Sequence, residues 1–279
     1  MQLRRLRAEL RRLREDAGLT QKVAAQSLDW SVSKLIRIET GAVQVSGADV
    51  RAMLHFYGVR DPERSDELLA ITRKRDEVWW DEFRPNYGQQ FLDFLDYENS
   101  ATRVRQFISF AVPGLLQTEP YMRTLFEGYM NEPERVERAA RIRRRRQELL
   151  APERGKEFWF VIDEGALHRW IGGPAVAREQ LEHLRVMAKQ PNINIRVVPF
   201  SVGMHPGLRG SFTIFEFPSE DEDPIVNLES PHSDVLIRDD LDTTSEFVET
   251  YYELDDYTTR EGELDTLIDS VVDRMRVGT

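Results

Sequence analysis

The sequence predicts an α+β protein. An all-α N-terminal domain of five helices covers residues 1–78, a junction covers 79–90, and a C-terminal domain with a mixed sheet covers 91–279. Three observations predict it. Up to about residue 77, apolar residues recur at spacings of three and four, with a cap or a glycine at each break. The run Arg84-Pro85-Asn86-Tyr87-Gly88 then interrupts that pattern. Beyond it, β-type runs such as KEFWFVI (156–162) stand between helical ones, which points to helices packed on a mixed sheet.

The first helix is expected over Leu3–Ala17, where Leu3, Leu6, Leu10 and Leu13 form one apolar stripe and Arg4, Arg5, Arg7, Arg11 and Arg12 line the other faces. Thr20 is an N-cap, since its hydroxyl can accept from an amide one turn in. The second helix runs from Gln21 to about Leu28 with Val23, Ala24 and Leu28 on one side, and Asp29-Trp30 make a turn. Ser31 caps the third helix, and Trp30 and Leu35 occupy the two positions of a hydrophobic staple. Leu35 and Ile38 face inward, Val32, Ser33 and Arg37 project the other way, and Gly41 sits where a left-handed C-cap is needed. Ser46 caps a fourth helix from Gly47 to Tyr57 that buries Val50, Met53 and Leu54 and ends at Gly58. Asp61-Pro62-Glu63 starts a fifth, running to Glu77 or beyond.

In the second domain, helices are expected at Phe91–Arg103, Pro120–Tyr129, Glu134–Leu150, Gly165–Trp170, Ala175–Lys189, Thr243–Leu254 and Arg260–Arg276. Strands are expected at Gln106–Val112, Lys156–Ile162, Asn194–Val198, Ser211–Phe217, Ile225–Leu228 and Asp234–Arg238. No repeat or low-complexity segment is evident.

Composition narrows the function classes. No apolar run is long enough to span a membrane, and the basic N-terminus has no apolar core of the kind a signal peptide needs. The absence of cysteine removes disulfides, thiolate catalysis and Cys-based zinc sites, and fits a cytoplasmic protein. The net charge of −11 is unevenly spread: residues 1–60 carry +5, residues 61–218 carry −1 and residues 219–279 carry −15. A basic head can meet phosphate while an acidic tail limits non-specific adhesion.

Residues 14–41 resemble the Cro/XRE-type repressors through the frame R-x-x-x-G-L-T-Q … W-S-x-S-K-x-x-R-I-E-x-G. Asp29 stands where many members have Gly, Val23 takes the capping-box site of Glu or Gln, and the loop after Gly41 lacks basic residues. The pieces PGLLQT (113–118), RRRRQELL (143–150), DEGALHRWIGGPAVAREQLEHL (163–184), VVPFSVGMHPGLRGSFTIFEF (197–217) and VNLESPHSDVL (226–236) resemble the C-terminal domain of a group of actinobacterial XRE regulators described as antitoxin-like. Such regulators are often encoded beside a small partner protein.

The resemblance implies a transcription regulator whose second domain dimerises, binds a partner or senses a ligand. With helix geometry it implies that Val32, Ser33 and Arg37 read base edges, that Thr20, Gln21 and Ser31 meet phosphate through amides and hydroxyls, and that Lys34 lies beside the groove. It also implies a structural ion pair between Arg14 and Glu39. The expected partners are double-stranded DNA bearing an inverted repeat, a second copy of the chain, and, as candidates, a small protein encoded nearby or a small-molecule effector. The alternative role is an interaction protein that sequesters a small partner and autoregulates its operon.

Enzymatic signals are weak, and no catalysis, cofactor or metal is expected. The histidines at 55, 168, 183, 205 and 232 lack metal-binding spacing. Asp163-Glu164 is a carboxylate pair without a nucleophile motif, and Glu164 is expected to cap the next helix. Gly203–Gly210 fits no phosphate-binding fingerprint and is expected as a mobile loop, with a lid over a pocket as the functional reading. On the Arg-rich helix, Arg138, Arg141 and Arg145 share a stripe and, with His205, are candidates for a ligand or partner surface; the simpler reading is a solvated face paired with Glu134, Glu137 and Glu148. Trp79, Trp80 and Phe83 form an aromatic cluster expected to pack at the junction.

Overall fold

The computed structural model describes residues 2–39, 43, 45–73, 78–218, 222–230, 234–238, 240–260 and 262–277. The chain divides into two compact units, Met1–Glu82 and Phe83–Thr279.

The first unit holds α1 (Gln2–Asp16), α2 (Gln21–Ser27), α3 (Val32–Glu39), α4 (Gly47–Phe56) and α5 (Pro62–Arg73). Residues 74–77, the expected end of α5, and Gly41, the expected C-cap of α3, lie outside the described residues. One core collects Leu6 and Leu10 of α1, Ala24 and Ala25 of α2, Leu35 and Ile38 of α3, Val50, Met53 and Leu54 of α4, and Leu68 and Leu69 of α5. Val23 is not part of it: its side chain is exposed, and Ala25 takes the inward place beside Ala24.

The second unit adds α6 (Gln89–Ser100), α7 (Glu119–Tyr129), α8 (Pro133–Gln147), α9 (Glu164–Leu167), α10 (Gly173–Met187), α11 (Leu241–Asp255) and α12 (Glu263–Val277) to six strands. These are β1 (Arg103–Ile108), β2 (Glu157–Asp163), β3 (Ile193–Val198), β4 (Phe212–Glu216), β5 (Ile225–Leu228) and β6 (Val235–Ile237). The sheet order is β3-β2-β1-β4-β5-β6. β1, β2 and β3 are parallel, whereas β4, β5 and β6 join antiparallel, so the sheet is mixed and the fold α+β, as the sequence predicts.

Alternation along each strand sends side chains to two faces. Val104, Ile108, Phe158, Phe160, Phe215 and Ile225 pack on one face in the core that also takes Leu149, Leu181 and Ile268. Phe107, Val161, Phe212 and Val226 pack on the other with Tyr251 and Leu254 of α11. β1 begins three residues before its expected start, because its first arginine lies between two carboxylates. Arg103 pairs in register with Glu157 of β2 and Glu216 of β4, and its guanidinium lies 2.7 Å from the former and 3.4 Å from the latter. α6 correspondingly stops at Ser100 rather than Arg103.

Candidate nucleic-acid interface

α2 and α3 are joined by a turn with a well-defined cause. The amide of Trp30 donates to Ala25 O (2.9 Å) and that of Asp29 to Gln26 O (3.2 Å), the hydrogen-bond pattern of a Schellman motif. This motif needs a left-handed residue, and Asp29 supplies it at φ 54°, the only positive φ outside glycine among the described residues. The helix starts are capped by side chains: Thr20 Oγ1 accepts from Val23 N (3.3 Å) and Ser31 Oγ from Lys34 N (3.1 Å).

α3 is sharply two-sided. Leu35, Ile38 and Glu39 are buried, while Ser31, Val32, Ser33, Ile36 and Arg37 are exposed. Positions 32, 33, 36 and 37 share one face at helical spacing. The three residues expected there from the sequence are joined by Ile36, which the sequence reading passed over because its apolar side chain reads as core. Chemically the face offers a guanidinium for the paired acceptors of guanine, a hydroxyl that can donate or accept, and two branched apolar groups suited to thymine methyls.

Behind this face, Arg14 of α1 and Glu39 of α3 form a bidentate pair, with Nε–Oε1 2.7 Å and Nη2–Oε2 3.2 Å. Arg14 Nη1 also donates to Leu19 O at 2.8 Å, and Gln21 Nε2 donates to Glu39 Oε2 at 2.8 Å. Gln21, half-buried, is therefore tied to the buried pair through its side chain, while its backbone amide at the start of α2 remains for a phosphate. Tyr57 lies near enough to feel the pair: burial, and next the Glu39 charge, push its hydroxyl up to about 12.

Lys34, expected beside the groove, has partners within the domain. Its ammonium is 2.7 Å from Asp49 Oδ1 and 3.8 Å above the Trp30 ring, so it braces α3 against α4 and the turn. Burial would raise the Asp49 carboxyl, but hydrogen bonds from Lys34 and Ser46 outweigh it and hold the group below its usual range. Ser46 Oγ in turn caps α4 by accepting from Asp49 N at 3.0 Å. Lys22, Arg37 and Arg51 are exposed and carry no ion pair among the described residues, which leaves them for phosphate or base.

In the second unit the candidate residues differ in exposure and in partners. Arg145 is exposed beside Glu148 (3.1 Å), and the exposed Arg141 lies 4.9 Å over Phe83. Arg138 is half-buried, felt by the Tyr87 hydroxyl. His205 is not on a surface at all: its side chain is buried, with Nε2 3.3 Å from Asp163 Oδ2 and its ring edge-on to Phe107. The loop around it is packed down, because Gly207 lies so close to Phe107 that a Cβ there would be 2.4 Å from the ring. Glu164 does not cap α9. Asp163 does, accepting from Gly165 N at 2.8 Å, while Glu164 accepts from Phe200 N at 2.7 Å and lies 3.0 Å from His168 Nε2.

The arginines of α8 that turn inward are two others, Arg143 and Arg146. They continue the buried stripe of Val136, Ala139 and Ala140 at helical spacing, the signal that could have found them. A hollow of about 400 Å³ lies near the start of β1, lined by Arg103, Glu157, Glu216 and Glu222; Arg103 pairs with Glu157, and Glu216 with Arg105 behind it at 3.0 Å. Among the described residues no group of three or more His, Asp or Glu could hold a metal ion, and no helix is long and apolar enough to cross a membrane.

Residues 5–68 match a family model described as a helix-turn-helix domain, the module of DNA-binding regulators. No curated protein and no solved structure matches the chain. Residues 91–263, more than half of the chain, match the family described as a domain of unknown function (DUF5753), and the chain belongs to that family.

Proposed function

We propose that this protein is a Cro/XRE-type transcription regulator that binds as a homodimer to an inverted-repeat operator, with α3 of each copy in the major groove. The observation that carries the reading is the outward face of α3. Val32, Ser33, Ile36 and Arg37 are exposed together on a helix whose other side is fixed by Leu35, Ile38 and the Arg14–Glu39 pair. A helix so held presents its side chains in one geometry, which base reading requires, and the +5 charge of residues 1–60 supplies the sequence-independent attraction to phosphate. The role is binding rather than catalysis.

The acidic charge of −15 over residues 219–279 favours a second, compatible reading as an antitoxin-like protein that holds a small basic partner.

The test is selection of duplexes from a random pool by the full chain. The reading expects an inverted repeat with half-sites about one helical turn apart. Enrichment of no sequence, or of a single half-site, would remove it.

A further inference from the structure

The strand directions bring four pieces of chain to one end of the sheet. β1, β2 and β3 run toward that end and β4 starts from it, Phe107 being paired with Phe212. Phe110 follows β1 by two residues, Phe200 follows β3 by two, and Met204 and Leu208 lie on the chain that leads into β4. Their side chains are 67%, 58%, 87% and 61% exposed, so each leaves more than half of itself in solvent.

This display is held in place by contacts behind it. Between Met204 and Leu208 the chain is pinned inward twice: His205 Nε2 lies 3.3 Å from Asp163, and Gly207 rests on the Phe107 ring. Those anchors turn the side chains at 204 and 208 outward. Phe200 stacks on His168 at 5.3 Å, and its amide donates to the buried Glu164. The amide of Ser109 donates to Ser211 Oγ at 3.1 Å, which brings Phe110 beside the end of the same loop, and the Arg169 guanidinium lies 6.0 Å over the Phe110 ring.

We propose that this end of the second unit is the surface on which two copies of the chain join, apolar centre on apolar centre. The assignment rests on the homodimer reading and adds to it the place where the chains meet. Four such side chains expose on the order of 500 Å², a size at which an apolar patch marks an interaction site. A two-fold contact sets a surface against itself, so the surface must be self-complementary. Apolar groups meet that condition at the centre, and the flanking charges meet it at the edges. Arg169, beside α9 on one face of the sheet, is exposed and has no ion pair among the described residues. On the other face α11 packs against the turn Pro206–Arg209 and carries Asp242, Glu246 and Glu249, exposed and likewise without an ion pair. An axis running between these flanks sets Arg169 of each copy toward the acidic flank of the other, which eases the approach of two chains of net charge −11. A standard interface takes about 800 Å² from each partner. The patch supplies the larger part as an apolar core, and the charged flanks form the polar rim.

The test is sedimentation of the full chain at micromolar concentration beside two variants of opposite charge, Met204→Glu with Leu208→Glu and Met204→Lys with Leu208→Lys. Both positions are exposed, so both variants should fold, which thermal melts check. Each alone should dimerise about a hundredfold more weakly than the unaltered chain, because like charges then meet across the axis. Mixed in equal amounts the two should form a heterodimer, because Glu then faces Lys, a result that belongs to a surface meeting its own copy and not to one meeting another protein. Phe110→Ser, which introduces no charge, should weaken the dimer about tenfold and serves if either charged variant melts early. An unaltered chain that stays monomeric removes the homodimer reading and this surface together. An unaltered dimer that the variants leave equally tight keeps the homodimer and overturns this surface. Folded variants that lose the dimer and do not regain it on mixing overturn the self-complementary contact.

Discussion

Arg14, in the last turn of α1, and Glu39, the last residue of α3, meet through two hydrogen bonds where their side chains are 7% and 2% exposed. The pair fixes the C-terminal end of the exposed α3 face to the first helix, and Gln21 joins it from α2. Removing one member strands a buried charge, so Glu39→Gln should cost about 3–5 kcal/mol of the first unit's stability. Replacing both, as Arg14→Met with Glu39→Leu, should cost less than either single change, because no unpaired charge is left. Denaturant midpoints of the three variants check this; a double variant as unstable as the sum of the singles contradicts it.

Asp29 holds the turn before α3 at a positive φ that most side chains resist. Asp29→Gly should stabilise the first unit by about 0.5–1 kcal/mol, and Asp29→Val should destabilise it by about 1–2 kcal/mol. Neither touches the exposed α3 face, so DNA binding measured on folded protein should be unchanged. Thermal melts and a binding titration read the two effects separately.

The exposed α3 face should divide its work by chemistry. Arg37→Ala should weaken binding to the selected operator by roughly 1–3 kcal/mol and binding to random duplex by much less. Ile36→Asn should change which base is preferred at one position, since it replaces methyl contact with hydrogen-bonding groups. Lys34→Ala should act first on stability, because its ammonium is held by Asp49 and Trp30. Equal losses on operator and random DNA for Arg37→Ala would make it a phosphate contact instead.

Legibility in the sequence followed the range of the interactions. Thr20, Ser31, Leu35 and Ile38 were readable because caps and helical spacing act within one or two turns. Val23 was misjudged and Ile36 passed over, since an apolar side chain at helical spacing looks like core, and both are exposed. The start of β1 was missed because RVRQFI reads as charged; only the neighbouring strands, carrying Glu157 and Glu216, make Arg103 and Arg105 acceptable there. On α8 the sequence reading followed the outward arginines and did not single out Arg143 and Arg146, since the inward stripe was marked by Val136 and Ala139 rather than by the arginines. His205 and Gly207 could not be placed at all, because what buries them, Phe107, is a hundred residues away in the chain.

Lys156 gives the second unit an alkaline signature. Its ammonium is buried against the end of α6, donating to Asn99 O at 2.8 Å and to Ala101 O. Burial pulls it down to about 8 in the folded chain, against 10.5 when unfolded. Between those values the unfolded chain binds more protons, so stability should rise with pH. At about 1.4 kcal/mol per pKa unit, reduced by partial solvation, the gain from pH 8 to pH 10 should be roughly 1–3 kcal/mol. Lys156→Met should remove the slope. Denaturant unfolding of both chains across that range checks it, and an equal slope in the variant would assign the effect elsewhere.

The last prediction concerns how two heads come to act together. One α3 face presents four side chains, enough for part of an operator, and phosphate contacts carry no sequence information of their own. Among the described residues of the first unit, exposed cations without an ion pair are few, so a single head should hold DNA weakly and with a shallow salt dependence. Joining two heads raises the effective concentration of the second at its half-site, provided the spacing lets both engage. The joining surface should lie in residues 83–279, the larger of the two compact units. Sedimentation of that unit should therefore give a dimer at micromolar concentration while residues 1–82 stay monomeric. Duplexes with both half-sites should bind the full chain far more tightly than duplexes with one, and the difference should fall when five base pairs, half a helical turn, are inserted between them, because the heads then face opposite sides of the duplex. Affinity that ignores the insertion would mean that each head binds alone.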